Sequence, residues 1–157
     1  MNLLLNPNTI SISNCFFLDM KNNIIMDGNF TKLVYSTAEF TMNGIHLSFP
    51  IRIIQTTRVP NKNLMIYDVD HNKEIIRKFS EIERELLNLY VAHFSSSNAS
   101  PKTHIHTLKQ QMMKGAIKYY HSLHEYGHSN RQFYIVISGI WENATEIGIT
   151  YKIIEHM

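Results

Sequence analysis

The feature that most constrains this chain is the stretch Gln132 to Ile154, "QFYIVISGIWENATEIGITYKII". Its first run, "FYIVISGIW", is apolar at consecutive positions, as in a strand buried on both faces. "ENAT" turns the chain, and "EIGITYKII" returns with a period of two. Ile147, Ile149, Tyr151 and Ile153 share one face, with Thr150 and Lys152 on the other. A sheet is therefore dictated, with the first of these two runs as a central strand. Gly139 and Gly148 lie inside the two strands, where glycine marks a bulge, a bend or a close approach of another group. They either bend the sheet or clear a shallow groove beside Trp141, the only tryptophan.

The rest of the chain reads around that hairpin. "TISISNCFF", "IIMDGNFTKLVYS" and "FTMNGIHLSFPIRII" are strand-like, broken by Asp27-Gly28 and Asn43-Gly44, the dipeptides of tight hairpins. "QTTRVPNKN" reads as a polar connector and "LMIYDV" as another strand. From Asn72 to about Phe94 the spacing changes to three and four, with Ile75, Phe79, Ile82, Leu86 and Tyr90 on one helical face, widened by Ile76, Leu87 and Phe94. Asp70 or Asn72 can cap its start. Glu74 with Lys78, and Arg77 with Glu81, are spaced for exposed pairing. A second helix is expected from Ser100-Pro101 through "KTHIHTLKQQMMK" to Gly115. "AIKYYHSL" then returns to a period of two.

The expected fold is α+β in a single domain, 1–157. It is antiparallel and β-rich, with an OB-like barrel among its options. The two helices are inserted before a C-terminal three-stranded antiparallel meander.

Composition narrows the chemistry. At 157 residues the chain can bury a core of its own. Its net charge of +2 is too small to argue for nucleic acid, so only the distribution of charge can. Cys15 has no partner for a disulfide. A reducing, intracellular location is expected. The opening "MNLLLNPNTI" is too short in apolar residues for a signal peptide, and no run approaches the roughly 18 apolar residues that span a bilayer. No membrane partner is expected.

Enzyme signatures are missing. The chain has no Walker-type loop, no dinucleotide fingerprint, no Gly-x-Ser-x-Gly elbow and no His-Glu-x-x-His. Nothing beside Cys15 would activate its thiol. His121, His124 and His128, with His104 and His106 upstream, have spacings that a helix could bring to a metal. The local period of two sets them apart instead. No catalytic residue, metal or cofactor is expected.

The charge distribution points elsewhere. Between Glu39 and Asp68 there is no acid, and Arg52, Arg58 and Lys62 appear; between Glu85 and Glu125 there is again none, with Lys102, Lys109, Lys114, Lys118 and five histidines. Aromatics interleave with cations: Tyr119 and Tyr120 after Lys118, Tyr134 after Arg131, and Tyr151 before Lys152. Cations give salt-sensitive contacts to phosphates, and exposed rings stack on bases for roughly 1–3 kcal/mol each. The phosphate candidates are Arg52, Arg58, Lys62, Lys114, Lys118, Arg131 and Lys152. The stacking candidates are Tyr119, Tyr120, Tyr134, Trp141 and Tyr151. Strand alternation forbids all of these from sharing one face. A solvated connector and a plain core would also account for many of them.

Three pieces, "FTKLVYSTAEFTMNGIHLSFPI", "LKQQMMKGAIKYY" and "ISGIWENATEIGITYKI", resemble small single-stranded-DNA-binding proteins of viruses and linear plasmids that replicate by protein priming. The "SGIWE…GITYK" ending is the most specific part, and the pieces cover under half of the chain. The resemblance implies a compact β-rich fold that coats displaced single strands during replication. Its implied partners are single-stranded DNA, with RNA as an option, other replication proteins and a second copy of itself. Many replication-type binders end in an acidic tail. This chain ends "YKIIEHM", so recruitment through such a tail is not expected. The competing expectation is a non-enzymatic interaction module, homo-oligomeric through its sheet edge and aromatic face.

Overall fold

The computed structural model describes residues 3–22, 28–94, 100–121 and 131–156. Its spine is the hairpin read from the sequence. β9 (Gln132–Glu142) and β10 (Glu146–His156) pair antiparallel along their whole length. Asn143 closes the turn, its Oδ1 accepting the backbone N–H groups of Thr145 at 3.0 Å and Glu146 at 2.7 Å. Thr150 faces Gly139 but Tyr151 faces Ile137, so Ser138 is the extra residue of a β-bulge.

Each edge of this hairpin is shared between two shorter strands. β9 pairs antiparallel with β4 (Ile45–Ser48) through residues 134–137 and with β2 (Asn29–Ser36) through residues 139–142. β10 pairs parallel with β7 (Thr103–Ile105) through residues 146–148 and with β8 (Ala116–His121) through only two residue pairs, Ile154 with Tyr120 and Glu155 with His121. Beyond β2 lie β1 (Cys15–Asn22) and β3 (Thr41–Asn43). Beyond β8 lie β6 (Lys62–Ile66) and β5 (Gln55–Val59). The ten strands make one open, mostly antiparallel sheet ending at β1 and β5.

α1 (Lys73–Phe94) and α2 (Thr107–Met112) cover one face of it. α1 buries Ile76, Phe79, Ile82, Leu86, Leu87 and Tyr90, close to the face its periodicity gave. These side chains meet Leu33, Ile45, Leu47, Ile135, Ile137, Ile140, Ile149 and Ile153 from the strands in one core. Every one of these is at most 4 % exposed, so a Leu or Ile truncated to Ala there costs about 2–5 kcal/mol.

Several expectations are corrected. The last three strands are not an antiparallel meander: β9 and β10 form the hairpin, but β8 runs parallel to β10 and antiparallel to β6. The reason is occupancy, since β2 and β4 already take the outer edge of β9. "QTTRVPNKN" is not a connector but the β5–β6 hairpin, turned at Pro60-Asn61 with Asn61 in the left-handed region at φ 69°. Asn43-Gly44 is not a hairpin either: β3 returns on β2 while β4 goes to β9, so the dipeptide turns a corner between two partners. Asp27 lies outside the described residues.

The second helix is far shorter than expected. Thr103 and Ile105 lie in β7, and Ser100-Pro101 starts no helix. What sets the start of α2 is tertiary: the buried Glu83 carboxylate of α1 accepts the N–H groups of Leu108 at 2.9 Å and Lys109 at 3.1 Å. Those are amides that a helix start leaves without a partner of its own. Desolvation pushes the Glu83 pKa up, against the pull of these two hydrogen bonds. α1 also starts differently from expectation. Asn72 is buried and spans to the segment before β5, its side-chain amide bonding both the N–H and the C=O of Arg52.

Candidate nucleic-acid interface

Strand alternation sorts every candidate onto one of two faces. On β10, Ile147, Ile149 and Ile153 are buried against the helices, which leaves Gly148, Thr150 and Lys152 on the opposite, helix-free face. On β9 the bulge at Ser138 resets the alternation. Phe133, Ile135 and Ile137 point to the core before it, Ile140 after it, and Trp141 is thereby turned outward.

The two strand glycines now have a physical role. A Cβ on Gly148 would lie 2.4–2.7 Å from Cζ2, Cε2 and Nε1 of Trp141, directly opposite it on β9. A Cβ on Gly139 would lie 2.7 Å from Cζ of Phe30 and 2.3 Å from the Thr31 carbonyl oxygen. Each glycine is thus the seat of a ring from the neighbouring strand. Trp141 and Phe30 lie down on the sheet and stay half-buried, each keeping part of its surface open to solvent.

Beside Trp141 is the most concentrated charge on this face. Tyr120 of β8 is 39 % exposed, and its ring centroid lies 4.7 Å from Lys118 Nζ and 4.6 Å from Lys152 Nζ. Such contacts are worth about 0.5–1 kcal/mol at exposed sites. Lys118 and Lys152 come from different strands and are brought together only by the parallel β8–β10 join. The edge of β10 between residues 148 and 154 has neither β7 nor β8 against it. There a cleft of about 290 Å³ opens, lined by Lys118, Tyr120, Trp141, Thr150 and Lys152, with Thr107 and Gln111 of α2 also lining it.

The sequence candidates do not all gather here. Lys118, Tyr120, Trp141 and Lys152 line the cleft, with Tyr151 reaching it from the helix side. Lys62 shares their face by register, since Leu64, two residues on, stands opposite Lys118. Tyr134 is on the same face but stacks on His46, with centroids 6.4 Å apart and planes 10° apart. Tyr119 is corrected: it is 3 % exposed on the helix side, edge-on to Phe133 at 5.1 Å, and cannot offer its ring to a base. Tyr151 also faces the helices, where its hydroxyl donates to Gln111 Oε1 and burial raises its pKa.

Among the cations, Arg131 is held by the buried Glu155 at 3.3 Å and donates to Thr56 Oγ1 at 2.6 Å. Arg58 alternates onto the face opposite to Lys62 and Leu64. Arg52 is exposed on the segment between β4 and β5, and Lys114 is exposed in the turn between α2 and β8. The acid-free segments therefore do not merge into one strip. Lys62, Lys118 and Lys152 share a face, and the other four candidates lie elsewhere. Lys32 and Phe30 of β2 were missed by sequence reasoning. The alternation of "NFTKLVYS" was the signal for them: buried Thr31, Leu33 and Tyr35 on one side imply Phe30, Lys32 and Val34 on the other.

The acids are mostly turned away. Glu142 points to the helix side, where it receives Tyr90 and pairs with Lys102. Glu155 is buried between Arg131 and His121, whose Nδ1 is 2.6 Å from Oε2. Glu146 keeps the alternation of Gly148 and Thr150, at the turn end of β10. Cys15 is buried, and burial pushes its thiol up to about 12, far from thiolate reactivity. Among the described residues no three His, Cys, Asp or Glu are arranged to hold a metal; His124 and His128 lie outside them. Among the described residues no helix is long and apolar enough to cross a membrane.

No protein-family model, no curated protein and no solved structure matches the chain.

Proposed function

We infer that the helix-free face binds single-stranded nucleic acid, DNA in the first instance, with little sequence selection and no covalent step. One observation carries the reading: an exposed tyrosine flanked by two lysine ammoniums lies beside a half-exposed tryptophan, around an open cleft at the edge of β10. Rings stack on bases whatever their identity, while lysines meet the phosphates between them. In this reading Tyr120 and Trp141 take bases. Lys118 and Lys152 swing from the tyrosine ring to phosphates, and Lys62 and Lys32 extend the path along the sheet. A flat β surface with aromatic rings is a common platform for single strands, and it serves on an open sheet as well as on an OB-like barrel. The likeness of "ISGIWENATEIGITYKI" to replication-associated binders supports DNA replication as the setting.

The test is a titration of the full chain with labelled oligo-dT at two salt concentrations, following the single tryptophan. Quenching that weakens steeply with salt is expected. No binding at low salt overturns the reading, and tighter binding of oligo-U than oligo-dT moves it to RNA. The exposed apolar side chains of β1 favour a second role that is compatible with the first, association through the sheet edge.

A further inference from the structure

β1 is the last strand on its side of the sheet. β2 holds one of its edges, and among the described residues no strand pairs with the other. Eight residues is long for an unprotected edge, and such edges are templates for another chain. Phe16 is 54 %, Leu18 47 % and Met20 38 % exposed along it. Past an irregularity between Phe17 and Met20, the pairing with β2 is regular again, Met20 with Thr31 and Lys21 with Phe30. Asp19 and Lys21 line one groove of about 460 Å³ with Leu18, Phe30 and Lys32.

We propose that β1 pairs antiparallel with β1 of a second copy of this chain, about a two-fold axis through Met20, so that two open sheets join edge to edge. Charge complementarity selects both the occupant and the register. About Met20, Asp19 of each copy stands opposite Lys21 of the other, so the axis makes the acid–base pair twice. About Leu18, Asp19 would face Phe17 and Lys21 would face Cys15, leaving both charges against apolar or thiol side chains. About Asp19, the two carboxylates would face each other. Opposite charges across antiparallel strands stabilise a join and like charges directly opposite destabilise it. An acid and a base two residues apart on an edge strand form a sequence that complements itself when reversed. The join also covers Met20, whose neighbour across the axis is the second Met20.

The experiment is sedimentation of the full chain over a range of concentrations, comparing wild type with Asp19→Lys, Lys21→Asp and the doubly substituted Asp19→Lys/Lys21→Asp. Wild type is expected to be a dimer. Each single reversal sets like charges across the axis twice and weakens the dimer about tenfold. The double reversal restores it to near the wild-type value. Met20→Lys, which places two ammoniums on the axis, is a fourth variant expected to give monomer. These side chains are exposed, so circular dichroism melts should match wild type. A wild-type monomer at every concentration overturns the proposal. So does a dimer indifferent to the single reversals, or one that the double reversal does not rescue. Oligo-dT binding is read separately, so the fate of the dimer and that of the nucleic-acid reading are independent.

Discussion

The two faces of the sheet are built from the same strands but answer opposite demands. Toward the helices, residue after residue is Ile, Leu or Phe at 0–6 % exposure, and the buried carboxylates are occupied: Glu83 by two helix amides, Glu155 by Arg131 and His121. On the other face the rings lie down on glycines, Lys118 and Lys152 meet the Tyr120 ring, and the surface is half-open. Burial without an answered charge is costly, so the first face leaves little freedom. The second face has to satisfy only water, and that leaves it available for a ligand.

That contrast can be broken from the covered side first. Leu86→Ala removes a fully buried side chain and is expected to lower stability by about 2–5 kcal/mol in denaturant titration. Oligo-dT affinity of the folded fraction should stay unchanged. Gly148→Ala attacks the seat of Trp141. It is expected to cost about 1–3 kcal/mol by overpacking and to shift tryptophan emission toward that of a solvated indole. An unshifted spectrum would mean that the ring does not rest there.

Lys118→Ala with Lys152→Ala works on the open side alone. Melting should move little, because exposed cation–ring contacts contribute about 0.5–1 kcal/mol. Oligo-dT affinity at low salt should fall about tenfold, with a shallower dependence on salt.

The smallest effect is a pH slope. Glu83 has its pKa raised by burial above the ordinary 4.5, so the folded state holds its proton more tightly than the unfolded state. Stability from this group is full below the ordinary value and declines as pH rises through the raised one. Urea titrations across that range should show wild type losing stability relative to Glu83→Gln as pH increases. Parallel curves would exclude the effect.

Much of the covered side was legible in the sequence, because long periodic runs leave few options. α1 followed from Phe79, Ile82, Leu86 and Tyr90, and the β9–β10 hairpin from its own alternation. What was not legible depended on contacts between distant segments. α2 is short because Glu83, some two dozen positions earlier, fixes where it starts. The β5–β6 hairpin is polar because it is an edge, and it reads as a loop for the same reason. The alternation of "AIKYYH" already set Tyr119 with Ile117 and Tyr120 with Lys118; what it left open is that the Ile117 face is the sealed one, against the helices. Trp141 is the sharpest case. Strict alternation from Phe133 would turn it into the core with Ile135 and Ile137; the bulge at Ser138 turns it out. The dipeptide Ser138-Gly139 was visible, but its consequence for parity was not.

The join between β8 and β10 is only two residue pairs wide. Lys118 and Tyr120 stand on one bank of it, and Lys152 and Trp141 on the other. A small change of angle at this seam alters the gap between the two rings while Leu33, Ile45 and Ile137, well away from it, keep their packing. The distance between the two rings is therefore set by a two-pair seam and not by the core.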